Sequence, residues 1–325
     1  MAAQETKTKA ASFRLEGLTA AVFTPFHQNG DLNLDPISAY IDCLVKDGVK
    51  NAFINGTNGE GWSLTMAERK QVAEHWKKVN NGRLSALVIN VGASAVRESQ
   101  ELAAHAQSIG IDAISCTPPT GYKAKNFVYV KLMLDTLVHF GLCFEGNSPE
   151  SSRNSFLFLS SVSDQCPRDR FNGSILGRSA EEPYSYFLWM KFSSCRLYEL
   201  KRCLQRPEGY QICSGHDEHL LAVVAIGNYS FIGGTVNFQA KLFTKVMEAY
   251  KRKDLEAAEK HYDQFVINCS ILKKHGDGVP ICKAIMKLSH MDLGPCRSPL
   301  IKLSPEEEEA LMVDLQQSGF LDSVK

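Results

Sequence analysis

The sequence has no surplus of either charge. Its 36 Lys and Arg residues cancel its 36 Asp and Glu residues, leaving a formal net charge of zero. Without a basic or acidic excess there is no electrostatic footprint for gripping nucleic acid or an anionic membrane, and neither partner is expected. No apolar run is long enough to span a bilayer. Met1 to Ser12 is polar, carries two lysines and has no apolar core, so it reads as neither signal peptide nor anchor. The expectation is a soluble cytoplasmic protein whose first 13 residues form a disordered tail. There are ten cysteines, but none forms a CxxC pair and no His/Cys group has the spacing of zinc ligands. No metal is expected, and without a secretory signal the thiols are expected to be reduced, mostly as small core residues.

What is present is ordinary for a globular chain: 44% hydrophobic and 22% charged residues over 325 positions. That length suits two domains, or one α/β barrel with an appendage. Gly17 to Pro25, Asn51 to Asn55, Leu84 to Val91 and Asp112 to Thr117 read as buried strands. Helices alternate with them. Ile37, Tyr40, Ile41, Leu44 and Val45 recur at helical spacing, and Gly48 closes that helix. Thr65-Met66-Ala67-Glu68 is a capping box that opens a helix with Val72, Trp76 and Val79 on its apolar face. Ser94 is placed to cap the helix carrying Leu102, Ala103 and Ala106.

The rhythm returns later in the chain. Phe187 to Phe192, Tyr210 to Ser214 and Ser230 to Val236 read as strands, with a helix running from Asp217-Glu218 through Val224. Three helices finish the chain. Leu255, Ala258, Tyr262, Phe265 and Cys269 share a face of the first, Val279 to Leu288 forms the second, and Ser304-Pro305-Glu306-Glu307 caps the third. Strand followed by helix at even spacing means a parallel sheet with helical crossovers, and eight such units with a helical tail fit the length. From about His139 to Tyr186 the rhythm fails, and the apolar island Phe156 to Val162 is the candidate fifth strand.

One residue in this pattern carries chemistry. Lys191 stands where an apolar strand gives way to Ser193-Ser194. Apolar surroundings penalise the ammonium, lower its pKa and release a neutral amine that can attack a carbonyl. A lysine snorkelling out of a strand end is the plainer alternative, and the residues alone leave both open. Cys195, close by, could line the same site. Gly56-Thr57-Asn58-Gly59-Glu60 could be a simple glycine turn, and Gly215-His216-Asp217-Glu218 an acid-decorated helix start. His75, His105, His216 and His261 show no metal spacing and read as surface or core residues.

Taken together and in this order, these stretches resemble the N-acetylneuraminate lyases, among the dihydrodipicolinate synthase-like class I aldolases. The likeness runs from Leu15 to about Asn126 and from Leu188 to about Leu321, through GLTAAVFTPF, FINGTNGEGWSL, VINVGA and MKFSS. It implies a (β/α)8 TIM barrel over residues 14–250 and a C-terminal helical extension over 251–325. It also implies a homotetramer and reversible cleavage of N-acetylneuraminate to N-acetylmannosamine and pyruvate, without metal or cofactor. Lys191 matches the Schiff-base lysine. Thr57 and Asn58 match the paired hydroxyl residues around the pyruvate carboxylate, with Asn replacing the second hydroxyl. Ser193 matches a substrate-contacting position, and Gly215, Asp217 and Glu218 match the residues that hold the sugar's polyol chain. Gly234 stands where the family has a substrate-contacting serine, so that contact is expected to be missing.

The sequence departs from the family at the end of the fifth strand. The family's proton-relaying tyrosine sits there in a YYYHIP-like run, which is absent here. Tyr184 and Tyr186 lie too close to Lys191 to match it, and Phe156 to Val162 contains no tyrosine. The fifth strand–helix unit is therefore expected to be atypical or disrupted, within an aberrant segment over residues 138–187. Two other readings follow: a catalytically silent relative that binds sugar or pairs with other subunits, and a different pyruvate aldolase on the same barrel.

Overall fold

The computed structural model describes residues 14–117, 157–162, 187–205, 211–276 and 278–324. Eight parallel strands close into a barrel in chain order. They are β1 Leu18–Ala21, β2 Asn51–Ile54, β3 Ala86–Asn90, β4 Ala113–Cys116, β5 Leu157–Val162, β6 Phe187–Phe192, β7 Gln211–Ser214 and β8 Phe231–Gly233. Every residue of β1 to β4 is buried. One face fills the barrel and the other meets helices, so both are dry, and the strands read as continuous apolar runs rather than alternations.

The apolar island supplies the fifth stave. β5 pairs with β4 from Ile114–Leu157 to Cys116–Leu159, and with β6 through Ser160 opposite Lys191. Its register against β6 slips at two places, Leu157/Phe158 and Ser160/Val162. The fifth unit is thus atypical in register, yet its strand is present and leaves no open edge. The rest of the segment over 138–187, apart from β5 and Phe187, lies outside the described residues, as does the tail over 1–13.

The helices of the barrel are α1 Ile37–Lys46, α2 Met66–Asn80, α3 Val96–Ser108, α4 Leu197–Leu204, α5 Leu220–Ala225 and α6 Val236–Lys251. The extension consists of α7 Leu255–Lys274, α8 Gly278–Ser289, α9 Pro305–Gln317 and α10 Phe320–Val324. Both capping boxes form: Thr65 with Glu68, and Ser304 with Glu307. Among the described residues four helices, not the expected three, finish the chain, and Asp217-Glu218 opens a 3-10 turn with the α-helix beginning only at Leu220. Three finer details also differ from the sequence pattern. Ser94 does not cap α3, whose N-cap is Ala95 without a side-chain bond. Instead the Ser99 hydroxyl, inside the first turn, accepts the Ala93 N–H at 2.9 Å. Val45 is 41% exposed and Leu255 61%, because each sits beside, not within, the buried stripe of its helix.

The extension is fastened to the barrel through α6. Phe243 meets Phe265 edge to face at 5.1 Å, and Phe238 lies 6.1 Å from Phe320. Within this apolar seam the buried Asn268 amide donates to Gln239 Oε1 at 2.7 Å, which fixes how α7 sits on α6.

Candidate active site

Lys191 is the penultimate residue of β6, with Ser160 of β5 and Cys213 of β7 as its cross-strand neighbours. Its side chain enters the barrel mouth, where Nζ lies 5.3 Å from the centre of the Phe53 ring. Protein surrounds the ammonium closely enough that burial pulls its pKa below the usual lysine value, against the opposing influence of Asp217 and then Cys213. Cys213 is pushed up to about 12 by the same dryness, so it remains a thiol beside the amine. The snorkelling alternative is not realised: the lysine head points into the molecule.

Gly215 explains how the lysine is aimed. Its N–H donates to the Phe192 carbonyl at 2.8 Å, carrying the β6–β7 pairing past the strand ends. A Cβ there would overlap Ser193 Oγ and lie 2.5 Å from Lys191 Cε. Gly215 therefore lies against both Lys191 and Ser193, and only a glycine leaves room for both side chains.

Asp217 and Glu218 diverge. Asp217 opens a short 3-10 turn, Asp217–His219, and is 7% exposed. Its Oδ2 accepts the Thr235 N–H at 2.9 Å and the Thr235 hydroxyl at 2.8 Å. Oδ1 packs against Gly233 and has no hydrogen-bond partner among the described residues. Burial raises the Asp217 pKa, opposed by the bonds from Thr235 and by the charge of Lys191. Glu218 instead faces the extension, 3.4 Å from His216 Nδ1 and 3.6 Å from Lys273 Nζ. The hydrogen bond from the His216 ring foremost, with the charge of Lys273 adding to it, holds its carboxyl at about 2. Its carbonyl accepts the Tyr262 hydroxyl at 2.6 Å, so α7 positions this turn. His216, read from sequence as a bystander, is its nearest partner and stacks on His219 at 5.3 Å.

The loop after β2 closes the other side. Thr57 is exposed at the rim and Asn58 is half-buried, its amide reaching the Ala21 carbonyl at 3.4 Å. A Cβ on Gly234 would overlap Asn58 Nδ2, so the Asn58 amide fills the space beside Gly234. Two of the positions where the sequence departs from the resemblance, an Asn for a hydroxyl and a Gly for a serine, are thus in contact. Phe53 joins the halves: its ring faces Lys191 Nζ, and its edge lies against Gly56 at the base of the Thr57 turn.

The barrel therefore brings Lys191, Ser193 and Gly215 together, couples Asp217 to them electrostatically, and sets Asn58 against Gly234. Cys195, the candidate lining residue, is exposed. Sequence reasoning missed Phe53 and Thr235. Thr235 directly follows the Gly233-Gly234 pair, and Phe53 is the aromatic residue of β2; neither has a local signature beyond position.

The family model described as the dihydrodipicolinate synthetase family matches residues 14–127 and 185–318. The N-acetylneuraminate lyase of Rattus norvegicus is 34% identical over 312 residues, covering 95% of this chain and 94% of that protein. The N-acetylneuraminate lyase of Gallus gallus is 36% identical over 299 residues, covering 90% and 92%. Among solved structures, the Proteus mirabilis N-acetylneuraminate lyase superposes with a TM-score of 0.81 at 29% identity, over 94% of this chain and 99% of that one. From the matched model, the sustained identity and the shared barrel, the chain belongs to the dihydrodipicolinate synthetase family.

Proposed function

We propose that this chain is an N-acetylneuraminate lyase acting through a Schiff base on Lys191. The observation that carries the reading is the placement of the half-buried Lys191 side chain at the barrel mouth, its Cε against Gly215 and its Nζ over the Phe53 ring, where burial lowers the pKa of the amine. The neutral amine attacks the C2 ketone of the open-chain sugar acid, and loss of water leaves an iminium. When the C4 hydroxyl gives up its proton, the C3–C4 bond breaks and its electron pair flows to the iminium. N-acetylmannosamine departs. The enamine takes a proton at C3, and water then releases pyruvate and regenerates the amine.

In this reading the Thr57–Asn58 turn receives the keto-acid carboxylate, Asn58 offering N–H donors where the family offers a hydroxyl. Ser193, Gly215, Asp217, Glu218 and Gly234 border the sugar end. The unpartnered Oδ1 of Asp217 suits a hydroxyl donor, whereas Glu218 reaches substrate only in company with His216 and Lys273. The working form is a cytoplasmic homotetramer taking small-molecule substrates, with no metal or cofactor.

One observation favours a second reading. β5, Leu157–Val162, has no tyrosine to relay the proton of the C4 hydroxyl. General acid–base help of that kind is worth about 10²–10⁴ in rate. A chain that forms the pyruvate adduct but cleaves sugar slowly, and serves as a binding subunit, fits the same site. Assaying purified protein for pyruvate released from N-acetylneuraminate, alongside borohydride trapping with pyruvate, separates the two. Release together with trapping supports the lyase. Trapping without release supports the impaired relative, and absence of both refutes the site.

The contact between Asn58 and Gly234 gives its own prediction. Gly234→Ser alone overpacks the Asn58 amide and is expected to destabilise by about 1–3 kcal/mol. Adding Asn58→Thr should return most of that loss. Denaturant midpoints of the two single variants and the double variant measure the coupling, and strict additivity within about 0.5 kcal/mol would show that the positions are independent.

A further inference from the structure

Lys283 lies on α8, in the C-terminal extension, remote in sequence from Lys191 and from the Thr57 turn. It sits on the buried stretch of that helix (neighbours Ile281, Cys282, Ala284 and Ile285), and its own side chain is 3% exposed. An ammonium has three protons to donate. Here all three are used: to the Thr24 carbonyl at 2.9 Å, Glu60 Oε1 at 3.0 Å and the Pro295 carbonyl at 2.8 Å. The first acceptor follows β1, the second belongs to the loop after β2, and the third lies in the segment after α8. Glu60 has no exposed side-chain surface, and its other oxygen accepts the Arg297 N–H at 2.8 Å. Arg297 itself forks onto Glu68 with bonds of 2.9 and 2.7 Å, and both Lys283 and Arg297 lie on the Phe26 ring, at 4.8 and 4.6 Å.

Glu60 in turn governs the Thr57 turn. Its N–H donates to the Thr57 carbonyl at 3.0 Å, Gly61 N–H donates to the Gly56 carbonyl at 3.0 Å, and the Thr24 hydroxyl donates to the Gly59 carbonyl at 2.6 Å. Glu60 takes a positive φ of 52°, a conformation that a non-glycine residue keeps only when its surroundings impose it. The buried ion pair with Lys283 and the bond from the Arg297 N–H both hold its side chain in that conformation.

We propose that Lys283 is a positioning residue for the keto-acid carboxylate, acting through Glu60 on the Thr57–Asn58 turn. This rests on the lyase-type reading of that turn given above. The extension is then part of the binding machinery and not an appendage. Its lysine fixes the conformation in which the turn presents its donors, while Lys191 on the opposite wall does the chemistry. A shift of about 1 Å in a positioning element far from the reacting atoms is enough to cost around 100-fold in rate.

The test uses the full chain in three forms. Lys283→Met removes the ammonium and leaves Glu60 buried without a counter-charge, which by itself threatens folding. Lys283→Met combined with Glu60→Gln removes both charges and serves where the single variant fails to fold. Lys287→Met breaks the exposed pair with Glu308, less than two turns along the same helix, as a control. Borohydride trapping over a range of pyruvate concentrations gives the half-saturating concentration and the maximum yield on Lys191. The expected result is a half-saturating concentration raised by about tenfold or more in the double variant with the maximum yield kept, and no change in the control. Hydrogen exchange should accelerate at the amides of residues 57–61 while those of α8 stay protected. Unchanged half-saturation with unchanged exchange at residues 57–61 would overturn the proposal. If the unaltered chain traps no pyruvate, the keto-acid reading falls. The exchange measurement then still judges the clamp: acceleration sustains it and wild-type protection refutes it.

Discussion

Lys191→Met is expected to abolish the borohydride-trapped pyruvate adduct and to lower any N-acetylneuraminate cleavage by at least about 10⁴-fold, the scale on which enzymes lose rate with their nucleophile. Methionine keeps the length and apolar stem of the side chain, so the barrel should retain its stability, and far-UV circular dichroism and the unfolding midpoint check that. The amine also sets the pH dependence. Burial disfavours the ammonium, so Lys191 loses its proton at a lower pH than a solvated lysine. Adduct formation in the intact chain should rise with pH and level off before the usual lysine pKa of 10.5 is reached. Asp217 opposes the shift by stabilising the cation. Asp217→Asn should therefore lower the lysine pKa further and move the rise to lower pH. A profile still climbing at the ordinary lysine pKa would mean that the amine is solvated and the mechanism unsupported.

Gly215→Ala is expected to cost about 100-fold in adduct formation while changing stability by only about 1–2 kcal/mol. The reason lies in which atoms the new methyl would meet. They are Ser193 Oγ and Lys191 Cε, the free ends of side chains that can swing away without moving the backbone. The fold gives way cheaply, but what gives way is the nucleophile. Gly61 shows the contrast: a Cβ there would overlap the Asn55 carbonyl, which is backbone and cannot turn aside. Thermal unfolding followed alongside trapping separates the two effects. A Gly215→Ala chain that is folded and traps pyruvate at the wild-type rate would show that this contact does not aim the lysine.

The fifth unit is where enzyme and silent relative part. The barrel closes through β5 although the residues around it break the α/β rhythm, because a parallel stave needs only a short apolar run in register with its neighbours. The matched family model skips residues 128–184, and β5 falls inside that gap. Closure of the barrel and supply of a proton relay are separate requirements. The first needs backbone pairing at β5, the second a particular side chain, and the strand Leu157–Val162 meets the first without a tyrosine for the second.

Much of this molecule was legible in the sequence. The alternation of buried strands and apolar-faced helices, the two capping boxes at Thr65 and Ser304, and the lysine near the end of β6 all depend on neighbours within a few positions, where spacing reports contact. Ser94 failed as a cap even at that range: the helix starts one residue later, with Ala95 as its N-cap, and it is Ser99 that bonds back to the loop at Ala93. Other features depended on closing the barrel. The Glu60–Lys283 pair spans 223 positions, the Asn58 amide fills the space beside Gly234, and Glu218 turns to Lys273 on α7. No local pattern encodes such contacts, since they exist only once eight strand ends and a C-terminal extension converge on one mouth. The sequence by itself marked Lys191 as an amine at the end of an apolar strand and left open whether it faces water or the barrel. Tertiary structure alone decided what dries it, what aims it, and what holds the opposite wall in place.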